Sequence, residues 1–406
     1  MVKILLTNKL SHSKECTDWF SVLILMMTAI VFVTAELVPV GILPEISASF
    51  QQPIGTVGLM VTAYAWSVGL TAVLITSWLA PLERRTLLLL ITLLFAGANL
   101  LIACASSLNV LFIARVLGAF GHGVFWSIVG PLCVRVSGSS SKARATAIVF
   151  GGIAVATVLA VPAGTLLAQY MGWRFTFGAV ALTSVLLAIA IAIRFPRLTS
   201  ENRGHLNQLF LIAGHPLLMR VFLATILALT GHFCAFTYVS LLLEKGVGIA
   251  PSHLAFYLFL FGGAGVLGSA LASKLADQNL RYACFTVMAI MSFMIMIFSC
   301  LPMGSNIIAA LLLIIWGGGI CVLTIGLQSL ILVLPVRIAD AASAIYVSMF
   351  NIGIGSGAFL GGLLVDHFPL ATVGLIGGML LLIAAMVIGL PIKNRNLFYD
   401  EANKCE

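Results

Sequence analysis

Long apolar stretches recur throughout this 406-residue sequence, and they constrain its fold more than any other feature. A helix of about 20 apolar residues crosses the roughly 30 Å hydrocarbon layer of a bilayer. Only 8% of the residues are charged, against about 25% in soluble domains, which is too few to cover a water-exposed surface. We therefore predict an all-α integral membrane protein with twelve spans, at 19–43, 55–79, 86–106, 108–133, 144–169, 174–194, 220–243, 253–275, 283–301, 305–334, 341–365 and 370–391.

The basic residues follow the spans asymmetrically. With the N-terminus inside, all but three of the 21 Lys and Arg residues lie in loops on the cytoplasmic side, the exceptions being Arg115, Arg174 and Lys245. This is the positive-inside pattern, which predicts that both termini are cytoplasmic. The net charge of +8 therefore reflects membrane topology, and no nucleic-acid partner is expected.

The longest break between spans divides the chain into two halves. We predict an N-terminal six-helix half at 1–194, a cytoplasmic central loop at 195–219, and a C-terminal six-helix half at 220–406 with a short cytoplasmic tail. Two parallel six-helix repeats with a site between them at mid-membrane form one architecture of secondary transporters. The sequence has no phosphate-binding G-x-x-x-x-G-K-[ST] loop, no H-E-x-x-H or G-x-S-x-G motif, and no C-x-x-C pair. We expect no enzyme activity, no metal and no cofactor.

Ionisable side chains within the spans are the first candidates for function, because a charge at mid-bilayer costs roughly 2.5 to 3.5 kcal/mol on insertion scales. Glu36 and Arg115 each lie seven residues from the outer end of their span, which corresponds to a depth of about 10 Å. If spans 1 and 4 adjoin, the two charges can compensate each other. A structural ion pair and a coupling role are both open for Arg115.

Span 4 carries two further candidate residues after Arg115, on the same side of the helix. His122 follows by two helical turns and Trp126 by one more, so all three project from one side of the helix. Intramembrane ionisable groups usually belong to a pathway or a relay, and histidine titrates near neutrality. We therefore predict that Glu36 and His122 carry protons.

Other polar and aromatic side chains are placed to line a cavity between the halves. Hydrogen bonding between helices is the alternative for each of them. The predicted substrate-cavity residues are Tyr64, Trp66, Trp126, His232, Tyr238, Trp316, Gln328 and Asn351.

Two segments resemble motifs of the major facilitator superfamily, specifically its twelve-span drug:proton antiporters. The segment R-V-L-G-A-F-G-H-G, from Arg115, resembles the span-4 motif whose arginine is linked to proton coupling. Residues 151–174 resemble the span-5 antiporter motif, with Pro162 and Gly164 in its helix-bending core and Ala160 where glycine is usual. That motif is associated with export rather than uptake.

The loop after span 2 departs from the superfamily pattern and retains only Glu83, Arg84 and Arg85. This reduced loop resembles the sugar-efflux branch, as do T-A-E-L-V-P-V-G-I-L-P-E-I, Y-A-W, G-G-A-G-V-L-G-S and F-N-I-G-I-G-S-G-A. The branch is similar to bacterial inner-membrane exporters of arabinose and of isopropyl thiogalactoside. The resemblance implies that the proton-coupling group consists of Glu36, Arg115 and His122.

We therefore expect a monomeric, multi-pass protein of the bacterial inner membrane that exports small neutral solutes, sugars above all, in exchange for protons by alternating access. A multidrug:proton exporter on the same scaffold is the alternative. Glu36 is the only acid within the spans, which favours neutral sugars over cationic drugs. A membrane enzyme would need a nucleophile or metal set, and a sensor would need a signalling domain, and neither is visible in the sequence.

Overall fold

The fold is that of a computed structural model, which describes residues 17–138, 141–199, 216–275, 280–332 and 336–390. Its regular structure in these ranges is entirely helical, and twelve helices are long and apolar enough to cross a membrane. The predicted twelve-span membrane protein is thereby confirmed. Most of the predicted central loop and the C-terminal tail lie outside the described residues. The spans are α1 Trp19–Phe50, α2 Ile54–Trp78, α3 Arg84–Ala103, α4 Leu108–Val136, α5 Lys142–Val155 and Val161–Met171, α6 Trp173–Arg194, α7 Pro216–Phe236, α8 Leu254–Leu275, α9 Leu280–Ser299, α10 Asn306–Leu332, α11 Val336–His367 and α12 Ala371–Gly389.

Several helices begin at a side chain that binds their free amide groups. Asp18 accepts from the backbone and the hydroxyl of Ser21 at the start of α1, at 3.2 and 2.6 Å. Ser107 accepts from the Val110 amide at the start of α4, at 3.4 Å. Such N-caps satisfy donors that have no partner within the helix, and they place the helix starts close to the predicted boundaries.

The helices form two bundles with the same internal arrangement. In α1–α6 the most extensive contacts are α1·α5, α1·α6, α2·α4, α3·α4 and α3·α6. Each pair recurs six helices later, as α7·α11, α7·α12, α8·α10, α9·α10 and α9·α12. The repeat is therefore parallel, as predicted for two six-helix halves. We call the face at which α1 begins the near side and the face at which it ends the far side.

The two halves meet along α2·α11 and α5·α8, and where α1 contacts the short helix Val239–Leu241 that follows α7. Glycines allow helix backbones to approach closely here: a Cβ on Gly262 of α8 would lie 2.4 Å from the Thr157 carbonyl oxygen in α5. Thr157 belongs to the π-helical turn Ala156–Ala160 that joins the two segments of α5. Within the second half, a Cβ on Gly317 would lie 2.1 Å from the Phe261 carbonyl oxygen. Small residues at these positions serve close helix packing.

Helix α1 contains Pro39 and Pro44, and each leaves a carbonyl four residues earlier without its usual helical donor. Within a bilayer such a group needs another partner. For Pro44 the free carbonyl is that of Val40, and the Ser240 hydroxyl from the second half donates to it at 2.7 Å. A proline in one half therefore creates a binding point for a side chain from the other.

Candidate functional site

Glu36 and His122 come together between α1 and α4. The distance between Glu36 Oε2 and His122 Nε2 is 3.6 Å, so a protonated histidine would form an ion pair with the carboxylate. The Glu36 side chain is 17% exposed and that of His122 only 3%. Glu36 is therefore the more accessible member of the pair.

Tyr64 of α2 extends this pair into a chain of three groups. Its hydroxyl lies 2.7 Å from His122 Nδ1, and both side chains are buried. When Tyr64 donates to Nδ1, neutral His122 carries its proton on Nε2, which faces Glu36. The structure thus brings Tyr64, predicted as a cavity residue, into the candidate coupling group.

Arg115 has a different partner from the one suggested by sequence. Its Nη1 donates to the backbone oxygen of Ala35 at 2.8 Å, and this carbonyl is the one that Pro39 leaves without a helical donor. Among the described residues, Glu36 and Arg115 make no ion pair within 4.0 Å. The guanidinium is held next to the Glu36 backbone without neutralising the carboxylate by direct contact.

The remaining contacts of Arg115 fix it against α2. Nε donates to the Met60 carbonyl at 3.3 Å, and the guanidinium carbon lies 4.0 Å from the centroid of the Tyr64 ring. Guanidinium groups bind the faces of aromatic rings through the ring quadrupole. Nη2 is buried and has no hydrogen-bond partner among the described residues. One donor of this buried cation is therefore available.

Aromatic rings enclose the histidine. Phe32 stacks near His122 at a centroid distance of 5.9 Å, and Trp126 lies at 6.1 Å. Trp126 is half-buried, whereas Phe32 is buried. The predicted alignment of Arg115, His122 and Trp126 along α4 therefore places an aromatic side chain beside the coupling group.

A second buried histidine lies in the other half. Trp316 Nε1 donates to His232 Nδ1 at 2.8 Å, which leaves the histidine proton on Nε2. The ring of His232 stacks on Phe236 at 5.0 Å and on Phe261 at 6.3 Å. The predicted cavity residues His232 and Trp316 thus belong to one aromatic cluster. This cluster makes no described contact with the Glu36 group, by which we mean Glu36, His122, Tyr64 and Arg115.

Two amide side chains of the second half have polar partners. Gln328 Nε2 donates to the Ser343 hydroxyl at 3.0 Å. Asn351 Nδ2 donates to the Val347 carbonyl at 2.9 Å, while its Oδ1 is buried without a partner among the described residues. An unpartnered acceptor of this kind can bind a hydroxyl group of a solute.

The remaining two predicted cavity residues, Trp66 and Tyr238, lie where the halves touch. Trp66 Nε1 donates to the Ser356 hydroxyl at 3.3 Å. Tyr238 is buried near the far side and donates to the Ala358 carbonyl at 2.9 Å. The structure therefore places both at the α11 interface, where hydrogen bonding between helices accounts for their contacts.

The residues of the span-5 motif hold α5 against α1. Pro162 is the second residue of the second segment of α5, which starts directly after the π-helical turn. A Cβ at Gly164 would lie 2.7 Å from a methyl carbon of Val38, and one at Gly41 would overlap the Thr165 hydroxyl at 2.2 Å. The small residues of the motif thus keep α5 in close contact with α1 on the far side of its π-helical turn.

The loop after α2 is organised by Glu83. Its carboxylate accepts from the Arg85 and Thr86 amides at 3.0 and 3.1 Å and from the Leu198 amide at 2.9 Å. Partial burial opposes ionisation, but these hydrogen bonds and that of the Thr86 hydroxyl outweigh it and lower the pKa of Glu83. Arg85 donates to the Ala192 carbonyl in α6. The retained Glu-Arg-Arg sequence therefore fastens this loop to the end of α6 on the near side.

Residues that the sequence analysis missed also connect the two halves: Thr62, Ser240, Ser356 and Asp366. Thr62 donates to the Gly355 carbonyl at 3.1 Å, and Asp366 accepts from the Gly55 and Thr56 amides. The four-residue offset from Pro44 could have identified the Val40 carbonyl as an acceptor. It could not have identified Ser240 as the donor, because that choice depends on how the halves dock.

Comparisons with known proteins assign the twelve-helix chain to a class of membrane transporters. The sequence model of the Major Facilitator Superfamily matches residues 24–337. The chain belongs to this superfamily and is a transporter rather than an enzyme.

Solved transporter structures share this fold. One is a bacterial homolog of the human lysosomal transporter Spinster in an inward-facing and occupied conformation, with a TM-score of 0.74 and 15% identity over 91% of this chain and 96% of that one. Another is a mutant form of the nucleoside transporter NupG, with a TM-score of 0.75 and 12% identity over 90% of this chain and 98% of that one.

Proposed function

We propose that this transporter exports small neutral solutes, sugars such as arabinose or thiogalactosides, in exchange for protons. The observation that carries the proposal is the chain of contacts from Glu36 through His122 to Tyr64, with the buried Arg115 cation beside it. Such a group can take up a proton in one conformation and release it in the other. Buried ionisable groups in membrane proteins usually have this type of role.

The proposed direction of transport, export, depends on which side of the protein faces the cytoplasm. Basic residues at the near-side helix ends, such as Arg84, Arg135 and Arg194, lead us to assign that side to the cytoplasm of a bacterial inner membrane. Side-chain hydrogen bonds join the halves at the far ends, as in Asp366–Gly55, and at the helix middles, as in Trp66–Ser356. These bonds close the far side, which supports a conformation that loads a solute from the cytoplasm for export.

The chemistry of the predicted cavity supports a neutral, hydroxyl-bearing solute. The Asn351 Oδ1 atom is an available acceptor, and Gln328 supplies a second amide on α10, which contacts the Asn351 helix α11. The carboxylate of Glu36 already has His122 as its partner. A cationic drug would need a free carboxylate, which makes multidrug efflux the second candidate rather than the first.

Flux through purified protein tests the proposal. Proteoliposomes that contain the transporter are given radiolabelled arabinose outside and an interior more acidic than the exterior. In the inside-out fraction, proton exit should drive the sugar inward against its gradient, and a protonophore should abolish this accumulation. Arabinose that only equilibrates, with or without the pH gradient, would contradict proton coupling. No arabinose entry, combined with proton-driven uptake of a cationic dye, would favour the multidrug alternative.

A further inference from the structure

The far end of α2 has an unusual cap. The helix begins after Pro53, whose side chain makes no capping hydrogen bond. The amides of Gly55 and Thr56 instead donate to the two carboxylate oxygens of Asp366, at 2.8 and 3.1 Å. These are the N–H groups that a side chain within the same helix usually binds. Here the capping residue belongs to α11, in the other half of the transporter.

The position of Asp366 is unfavourable within its own helix. It lies in the last turn of α11, where the helix dipole disfavours a negative charge. At the start of α2 the dipole has the opposite sign and attracts the carboxylate. The contact with the other half therefore accounts for an acidic residue at this position.

Glycines bring the two helices close enough for this bond. A Cβ on Gly55 would lie 2.2 Å from the Gly362 carbonyl oxygen, and one on Gly58 would lie 2.0 Å from the Tyr238 hydroxyl. Larger residues would separate α2 from α11 and carry the carboxylate away from the amides. The glycines therefore allow the close packing of α2 and α11 that is present when the far side is closed.

Ser240 makes a second bond of the same type, where the short helix Val239–Leu241 contacts α1. It is buried and donates to the Val40 carbonyl that Pro44 leaves free. Both bonds thus join a side chain of the second half to an unsatisfied backbone group of the first. Separation of the far ends would break both at once and leave those backbone groups to water.

From this geometry we propose that Asp366 and Ser240 form a latch, which holds the far side closed and sets how readily the transporter opens there. The latch acts on the equilibrium between far-closed and far-open conformations whatever the solute is. Each of its bonds can be removed without touching the Glu36 group.

The native cysteines allow a direct test. Cys104, after α3, and Cys300, after α9, are both exposed at the far side, one in each half. The other six cysteines are replaced, these two carry spin labels, and the distance distribution is measured in lipid nanodiscs. Asp366→Asn and Ser240→Ala should each raise the ratio of the long-distance to the short-distance population about tenfold, the equivalent of about 1.4 kcal/mol.

Matched controls separate the latch from general damage. Asp18→Asn removes the charge from a cap that lies within one half, on the near side. Ser184→Ala removes a buried hydroxyl that donates only to the Val180 carbonyl of its own helix. Neither control should change the distance distribution. If Asp366→Asn and Ser240→Ala, as folded proteins, give the same distribution as the unsubstituted protein or shift it no more than the controls do, the latch does not exist. No solute is needed, so the result is independent of the proposed substrate.

Discussion

Arg115 Nη1 donates to the Ala35 carbonyl at 2.8 Å, and this hydrogen bond gives the buried cation a partner other than a carboxylate. The acceptor is available because Pro39, four residues later, has no N–H to donate. The neighbouring residue, Glu36, is left to interact with His122. Because of Pro39, two adjacent residues have different roles: the Ala35 carbonyl binds Arg115, and the Glu36 side chain faces His122.

This relationship predicts that Pro39 and Arg115 are energetically coupled. In Pro39→Ala the new N–H can donate to the Ala35 carbonyl. That carbonyl then has a donor without Arg115, so the hydrogen bond from Arg115 contributes less to stability. Arg115→Lys should destabilise the original protein by about 3 kcal/mol, because a lysine cannot make the same set of bonds. The loss should be smaller by about 1 kcal/mol in the Pro39→Ala background. A double-mutant cycle of unfolding in mixed detergent measures both values. Strict additivity of the two substitutions would contradict the coupling.

Hydropathy and charge patterns predicted the twelve helices and the two halves, because a bilayer requires long apolar helices with satisfied backbones. The same patterns located Glu36 and His122, since ionisable groups are rare within spans. They could not assign partners. Tyr64 was interpreted as a cavity residue because the sequence does not show that its hydroxyl lies 2.7 Å from His122 Nδ1. Asp366 was passed over since its capping partner lies 310 residues away.

Tyr64→Phe tests the inner part of the relay. The substitution removes the hydroxyl that contacts His122 and keeps the ring under Arg115. A net loss of about 1 kcal/mol in stability is expected for the hydrogen bond. Proton-driven transport should fall about tenfold, while solute binding in the absence of a gradient is unchanged. Isothermal titration with the transported solute and flux in proteoliposomes measure the two effects. Tyr257→Phe is the control, because it removes a hydroxyl that donates to the Asn306 backbone carbonyl in the second half and has no bond to His122.

Glu36→Gln tests the carboxylate itself. Glutamine keeps the size of the side chain but cannot be ionised, so it cannot exchange a proton. The variant should still exchange labelled for unlabelled solute across a membrane at equal pH, and it should fail to concentrate solute when a pH gradient is applied. Counterflow and gradient-driven uptake in the same vesicle preparation give the two measurements. Concentrative transport by Glu36→Gln at the original rate would remove Glu36 from the coupling group.

Glu83 gives a prediction about pH. Its hydrogen bonds hold its pKa below the ordinary value of 4.5 in the folded protein. A lowered folded pKa means that the carboxylate stabilises the fold above pH 4.5, and that this contribution is lost as the pH falls through the folded pKa. Glu83→Gln should therefore lower the melting temperature slightly at about pH 7 and by less at a pH well below 4.5. Hydrogen exchange of the Thr86 and Leu198 amides should become faster in parallel. An equal effect at both pH values would show that the charge of Glu83 does not stabilise the loop.

Asn351 distinguishes a sugar from a hydrophobic drug as the solute. Its buried Oδ1 has no partner among the described residues, and a solute hydroxyl could donate to it. Asn351→Leu is nearly isosteric and removes this acceptor, so the KM for a transported sugar should rise about tenfold with little change in the maximal rate, the equivalent of about 1.4 kcal/mol. Asn99→Leu is the matched control, because Asn99 also donates to a carbonyl of its own helix, at 2.8 Å, and has a buried free Oδ1. It lies in α3, which makes no contact with the other half among the principal helix pairs. Equal effects of the two substitutions on KM would mean that Asn351 acts through packing rather than through the solute.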